Sequence, residues 1–279
     1  YFWKVKINSK FNLIELGPGT GSLFNDITKS VSNYPDFLNN ADISFIEINK
    51  ELIKLQKQTI NYEIFKNLNW REEVEFKSKL PSIIYSNEFF DCFPVRQFIY
   101  KEEWFEKYVN YNLEEQKFYL EEVVVNNQEL IKKLDESKEN KILEISFERN
   151  KYFERICRFL KDNGGIFFTI DYGYIEKPRN YTLQAIQNHN FSNLFENIGE
   201  KDISSHVDFE HFINIAKDNK LKIEEYCTQG EFLLKYGILD RVKKLSKPDN
   251  AKDIKVELNR LIDQKEMGDL FKCLVISNL

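Results

Sequence analysis

The chain has 279 residues, 42% of them hydrophobic, 30% charged and 15% aromatic. With 24 Phe and 14 Tyr it has the apolar mass for a full core, which excludes a disordered chain. No apolar run approaches the roughly 18 to 20 residues that cross a bilayer as a helix. Lys plus Arg is 40 against 45 Asp plus Glu, a net charge of −5, so no overall basic field holds a nucleic-acid backbone. Cys92, Cys157, Cys227 and Cys273 lie far apart with no C-x-x-C pair, and read as reduced thiols in a cytosolic-type compartment. The chain opens on Tyr1 without a signal-peptide pattern and holds one methionine, Met267, which suggests a fragment or a processed chain.

Phe11 to Leu16 is a short apolar run ending at Gly17 and reads as a buried parallel strand. Leu23, Phe24, Ile27 and Val31 recur at helical spacing after it. Ile43 to Ile48 predicts a second strand. Glu51 to Tyr62 predicts a helix with Leu52, Leu55 and Ile60 as core contacts. Ser82 to Ser86, opened by Pro81, predicts a third strand. Strand, helix, strand, helix, strand with short links is the pattern of a doubly wound α/β sheet. Val95 to Val125 is aromatic and β-branched with a polar break at Asn110 to Asn112, and predicts an inserted antiparallel ribbon. Glu148 to Lys161 predicts a helix capped by Asn163-Gly164-Gly165, followed by a buried strand Ile166 to Ile170 that ends at Asp171. Phe209 to Asn219 predicts a helix, and Lys222 to Cys227 and Lys272 to Ile276 predict two more strands.

Only 10 glycines are present, and three of them fall in Gly17-Pro18-Gly19-Thr20-Gly21. Between a strand and a helix, such glycines permit a tight turn and let backbone N–H groups approach a ligand. The pattern is G-x-G-x-G, one residue short of the dinucleotide fingerprint, so an amino-acid and nucleoside ligand fits better than a pyrophosphate, and an NAD-dependent oxidoreductase is the less favoured reading. No G-x-x-x-x-G-K-[ST] run appears, which excludes a P-loop. Glu47 closes the second strand, where an acid can accept from both ribose hydroxyls. The plainer alternatives are a strand-to-helix turn for the glycines and a solvated strand-end carboxylate for Glu47.

Glu15-Leu16-Gly17-Pro18-Gly19-Thr20-Gly21, Phe45-Ile46-Glu47-Ile48 and the run from Asn87 to Phe98 (NEFFDCFPVRQF) resemble the MidA family. Ile170-Asp171-Tyr172-Gly173-Tyr174, Thr182-Leu183-Gln184-Ala185, His206-Val207-Asp208-Phe209, Thr228-Gln229-Gly230 and the run from Met267 to Lys272 continue the likeness in order over nearly the whole chain. These are class I S-adenosylmethionine-dependent methyltransferases, and their mitochondrial members are protein arginine methyltransferases that assist assembly of respiratory complex I. The resemblance implies one methyltransferase domain over residues 1–279. Its Rossmann-like core covers residues 11–174, with an aromatic β insert at about residues 95–125, and residues 175–279 complete the sheet with an antiparallel edge and add a cap. It implies S-adenosyl-L-methionine as cofactor, a protein substrate (in the complex I case a subunit of that complex), no nucleic-acid partner and no membrane insertion, and it leaves the oligomeric state open. Family members carry a further N-terminal segment that helps close the cofactor site; without it, this chain is expected to bind the cofactor weakly. Thr20 stands where the family commonly has Arg. A rival reading is a partner-binding scaffold that no longer turns over. The compartment reads as a bacterial cytoplasm, with the mitochondrial matrix as the alternative.

Arginine as nucleophile needs carboxylates, because its guanidinium stays protonated and must be held and relieved of a proton during or after transfer. Glu88, Asp91 and Asp171 are the expected catalytic acids. Glu15, Gly17, Gly19, Gly21, Glu47 and Asn87 are the expected cofactor contacts. The plainer alternatives are a helix-start carboxylate for Glu88 and turn chemistry for Asp91 and Asp171. His189, His206 and His211 lie in one stretch, but their spacing matches no zinc pattern, and no metal is expected. The basic run Arg241 to Lys247 reads as a solvated face.

Overall fold

The computed structural model describes all residues except 1, 2, 61–64, 66, 67, 75–77, 140, 177, 189, 248, 250 and 279. After a π-helical turn at Trp3–Ile7 come β1 (Phe11–Leu16), α1 (Ser22–Ser30), α2 (Pro35–Asn39), β2 (Ala41–Ile46), α3 (Lys50–Thr59), β3 (Leu68–Arg71) and β4 (Ser82–Asn87). The middle of the chain forms β5 (Arg96–Tyr100), β6 (Trp104–Asn112), β7 (Lys117–Val124), α4 (Gln128–Asp135), β8 (Ile142–Ile145), α5 (Phe147–Asn163) and β9 (Gly165–Tyr174). Then follow β10 (Gln184–Gln187), β11 (Asn190–Ser192), β12 (Asp202–Ser204), β13 (Val207–Asp208), α6 (Phe209–Asp218) and β14 (Lys222–Thr228). The chain closes with α7 (Gln229–Lys235), α8 (Ile238–Leu245), α9 (Ala251–Ile262), α10 (Met267–Leu270) and β15 (Phe271–Asn278).

The chain divides into two compact units. The first comprises Tyr1–Phe89, Tyr152–Gly173 and Phe209–Leu279, and the second Phe90–Lys151 and Tyr174–Asp208. In the first, the strands run in the order β14-β15-β9-β4-β1-β2-β3. The pairs β1–β2, β1–β4, β2–β3 and β4–β9 are parallel, while β15 is antiparallel to both β9 and β14. This is the expected α/β class I methyltransferase architecture, a doubly wound sheet with an antiparallel C-terminal edge. All six residues of β1 are buried, as a strand covered on both faces requires. Phe11, Phe24 and Phe45 are fully buried in a cluster against which Ile27, Phe37 and Trp70 pack.

Three local expectations shift. β2 ends at Ile46, two residues early, because Glu47 already turns the chain: its carboxylate accepts the Asn49 amide at 2.9 Å, and Asn49 caps α3 by accepting from the Glu51 and Leu52 amides. Leu55 is 39% exposed, and the fully buried position of α3 belongs instead to Gln56. The expected helix end at Tyr62 lies outside the described residues. The polar stretch Asn110 to Asn112 lies inside β6, and the turn follows it, with Asn112 accepting from the Glu114 and Glu115 amides.

The second unit holds two antiparallel sheets, β7-β6-β5-β8 and β11-β10-β12. Its core gathers Phe98, Trp104, Val125, Leu134 and Leu143. The inserted ribbon is thus part of a larger body that also takes in the segment from Tyr174 to Asp208. Arg149 pins that segment. Its buried guanidinium donates to the Phe90, His206 and Ser205 carbonyls and to the Ser205 hydroxyl, at 2.6 to 3.2 Å. Among the described residues no helix is long and apolar enough to cross a membrane.

Candidate functional site

The parallel register aligns Leu16 with Ile46 and with Ser86, so Gly17, Glu47 and Asn87 leave their strands at one edge of the sheet. The strand order reverses between β1 and β4, and a doubly wound sheet places its ligand at that switch point, beyond the carboxyl ends of the strands.

Three positive φ angles build the loop after β1: +59° at Gly17, +56° at Gly19 and +80° at Gly21. L side chains rarely adopt these values. The Gly17 amide donates to the Ile46 carbonyl at 3.0 Å, tying the loop to β2, and the Gly21 amide closes a turn onto the Pro18 carbonyl at 2.8 Å. Space separates the three glycines. A Cβ at Gly17 would stand 2.8 Å from the Phe89 ring, and one at Gly21 would stand 2.6 Å from Ile60 Cδ1, while one at Gly19 would meet nothing within 4 Å. Gly17 and Gly21 are therefore glycines of close packing, and Gly19 is the one whose backbone faces open space. Gly21 is also the N-cap residue of α1, whose first turn carries no acidic residue.

Glu47 is 8% exposed. Its carboxylate accepts from the Asn49 amide at 2.9 Å and from Gln56 Nε2 at 3.2 Å. An ionised carboxylate offers about four lone-pair sites. Two are engaged here, and the remaining two suit a pair of hydroxyls. Ile48, next along, is 78% exposed, an apolar side chain left bare beside the acid. Glu15 is buried at the end of β1 and accepts the Tyr85 hydroxyl at 2.9 Å. Burial pushes its carboxyl up to about 7, against the opposing effect of that hydrogen bond.

Asn87 and Glu88 are exposed at the end of β4, where Asn87 Nδ2 donates to Glu88 Oε1 at 3.0 Å. Glu88 has a φ of +50°, and its amide donates to the Ile170 carbonyl at 3.0 Å. No helix begins at Glu88, so the helix-start alternative for this carboxylate falls away. Asp171 is fully buried in β9, and its two oxygens accept the Phe89 amide at 3.1 Å and the Tyr172 amide at 3.0 Å. It thus grips the turn that presents Glu88. Glu15, the glycine loop, Glu47, Asn87, Glu88 and Asp171 all belong to the first unit; Asp91 belongs to the second, where it is 9% exposed and its carbonyl accepts the Ser205 amide. His206 donates its amide to the Thr182 hydroxyl at 2.8 Å, and His189 lies outside the described residues. Among the described residues no group of three His, Cys, Asp or Glu side chains is arranged to hold a metal ion.

Two residues of this edge escape a reading by motif. Tyr85 sits inside an apolar strand and shows no sign of its role as the partner of Glu15. Gln56 left a signal: it interrupts an i, i+4 series, Leu52, Gln56 and Ile60, at the position that faces the core.

The sequence profile of the Methyltransf_28 family, described as "Putative S-adenosyl-L-methionine-dependent methyltransferase", matches residues 2–227. The chain belongs to this family. As a Methyltransf_28 member it is an S-adenosyl-L-methionine-dependent methyltransferase by class, with that molecule as the family's cofactor. It is similar to the protein arginine methyltransferase NDUFAF7, mitochondrial, of Danio rerio, with 25% identity over 97% of this chain and 70% of that protein. The human NDUFAF7 protein is 24% identical over 95% of this chain and 65% of its own length. The Caenorhabditis elegans homologue is 24% identical over 84% of this chain and 59% of its own length. The chain thus spans about three fifths to seven tenths of these relatives. Among solved structures, a superfamily member from Burkholderia thailandensis bound to S-adenosyl-homocysteine has a TM-score of 0.81 at 21% identity, covering 97% of this chain and 72% of that one. That likeness shows the fold.

Proposed function

We propose that this chain transfers a methyl group from S-adenosyl-L-methionine to an arginine side chain of a protein, with a respiratory complex I subunit as the acceptor the family resemblance suggests. The observation that carries the cofactor half is the pairing, at one sheet edge, of an open Gly19 backbone with a Glu47 carboxylate that keeps acceptor capacity. These residues fit an amino-acid and nucleoside ligand. When bound, that ligand supplies a methyl group on a sulfonium, already a good leaving group, so the protein's task is chiefly positioning. Glu47 accepts the ribose hydroxyls, the Gly17–Gly21 loop offers backbone N–H groups, and Ile48 provides an apolar face for the base. Glu15 and Asn87 flank the amino-acid end. The acceptor half rests on the relatives named as protein arginine methyltransferases and on exposed Glu88, which suits a guanidinium. Asp91 is the second candidate for that grip. Asp171, with both oxygens on backbone amides, supports a positioning role through the Phe89 turn.

The test is a labelled-methyl transfer assay on host lysate, followed by mass spectrometry of the labelled band. Label on arginine is the expected result. Label on another residue type overturns the acceptor assignment. Absence of saturable calorimetric heat with S-adenosylhomocysteine overturns the cofactor assignment and favours a partner-binding scaffold.

A further inference from the structure

We propose that Gln56 is a positioning residue that locks the glycine loop to the ribose-binding carboxylate, so that the two walls of the cofactor site are set as one piece. This rests on the cofactor reading above. Gln56 lies on α3 with no exposed surface. A buried carboxamide is costly unless its donors and acceptor are satisfied, and here they are. Nε2 donates to the Gly19 carbonyl at 2.9 Å and to Glu47 Oε2 at 3.2 Å, and Oε1 accepts the Trp70 indole N–H at 2.8 Å. The partners dictate which way the amide faces. An indole only donates, and a carbonyl and a carboxylate only accept, so a flipped amide would lose all three bonds. Neither an apolar residue nor a glutamate can replace it at all three contacts.

The bonds join parts of the site that the chain brings separately: the loop after β1, the end of β2, and β3. Gly19 has no side chain and faces open space, so its carbonyl needs an anchor from elsewhere, and Gln56 supplies one. Glu47 has one oxygen on its local turn through the Asn49 amide, and the other is turned toward α3 by Gln56. A ligand that touches both the loop and Glu47 then meets a geometry already ordered, and the cost of ordering does not fall on binding.

The experiment measures S-adenosylhomocysteine affinity by calorimetry in the parent, Gln56→Met, Glu47→Ala and the double variant, with hydrogen exchange of the unliganded proteins over residues 17–21 and 47–49. Methionine keeps the volume and removes the bonds. Gln56→Met is expected to weaken binding by about 10- to 100-fold, the effect of losing a buried hydrogen-bond partner. In the Glu47→Ala background its further loss should shrink to less than about threefold, because the two side chains act together. Exchange should quicken in both segments of unliganded Gln56→Met. Trp70→Phe, which keeps an aromatic ring and removes the indole donor, should give a smaller loss in the same direction and serves if Gln56→Met does not fold. A lowered melting temperature with affinity kept within about twofold overturns the proposal, and so do equal losses in the two backgrounds. If the parent itself binds no S-adenosylhomocysteine, the cofactor reading fails, and exchange alone decides the linkage: quickening in both segments supports it, and unchanged exchange overturns it.

Discussion

Single positions carry the sharpest expectations. Gly19→Val forces a β-branched residue to a φ of +56° and fills the open space above the loop. S-adenosylhomocysteine affinity should fall by about tenfold or more, because the side chain takes space that the backbone leaves to a ligand, while the strain of about 1–2 kcal/mol at a left-handed L-residue falls on stability and circular dichroism stays native. Equal affinity in parent and variant would remove Gly19 from the site. Glu15 links stability to pH. Its carboxyl is raised from 4.5 to about 7 by burial, so the folded state holds the proton more tightly than the unfolded chain. The stabilisation is complete below pH 4.5 and is lost as pH rises through about 7, a fall of about 3 kcal/mol at about 1.4 kcal/mol per unit. Urea denaturation between pH 4.5 and 8 should trace that fall in the parent. Glu15→Gln should flatten it, and an unchanged slope would show that another group carries it. Glu88→Gln keeps a side-chain oxygen for Asn87 to donate to. Cofactor affinity should hold while methyl transfer drops by about 10² to 10⁴, the range for a positioned acid or base. Joint loss of both would move Glu88 into the cofactor shell.

Elements impose constraints that motifs do not show. Asn163-Gly164-Gly165 reads as one helix cap, but the two glycines have separate tasks. Gly164 ends α5, its amide bonding the Leu160 carbonyl at 2.8 Å with a φ of +77°. Gly165 opens β9 at a φ of +136° against β4, where an added Cβ would lie 2.1 Å from the Ser82 carbonyl oxygen. That neighbour is backbone and cannot swing away. Gly165→Ala should therefore destabilise the protein by about 3 kcal/mol or more, in the class of strained special-φ positions, and thermal unfolding measures it. A shift below about 1 kcal/mol would mean that the strands separate easily at this end. Helix α3 teaches the same lesson. Its Ile60 contact follows from sequence pattern, whereas a glutamine at its most buried position makes sense only once Gly19, Glu47 and Trp70 surround it.

At the scale of the whole chain, the division into two units bears on how the protein unfolds. The second unit is made of two segments separated in sequence by Tyr152 to Gly173, and Arg149 bonds the start of one to the end of the other. Arg149→Lys keeps the charge but cannot reproduce the planar fork of donors. Hydrogen exchange should quicken near Phe90, Ser205 and His206, with a loss of about 1–3 kcal/mol, and the β1, β2 and β4 amides should keep their protection. Equal loss in both units would show one cooperative unfolding event in place of local opening.

Sequence alone determined the parallel strands, the glycine turn, the acid after the second strand and the family. Each is local: a run of apolar residues, a φ that glycine favours, a carboxylate at a fixed offset. The antiparallel edge strands were legible for the same reason. Tertiary structure decided which glycine faces open space, because that depends on Phe89 and Ile60, which stand far along the chain. It also placed Asp171, an expected substrate acid, fully buried with its oxygens on the Phe89 and Tyr172 amides, and it gave the residues after the third core strand a turn rather than a helix. The aromatic insert grew into a unit with its own core because Leu134 and Leu143 pack onto it and the segment Tyr174–Asp208 joins the same body, and no spacing within residues 95–125 reveals either. Burial and long-range hydrogen bonding are properties of the assembled chain. They separate a glycine with an open backbone from two that are closely packed even though the residue types are identical.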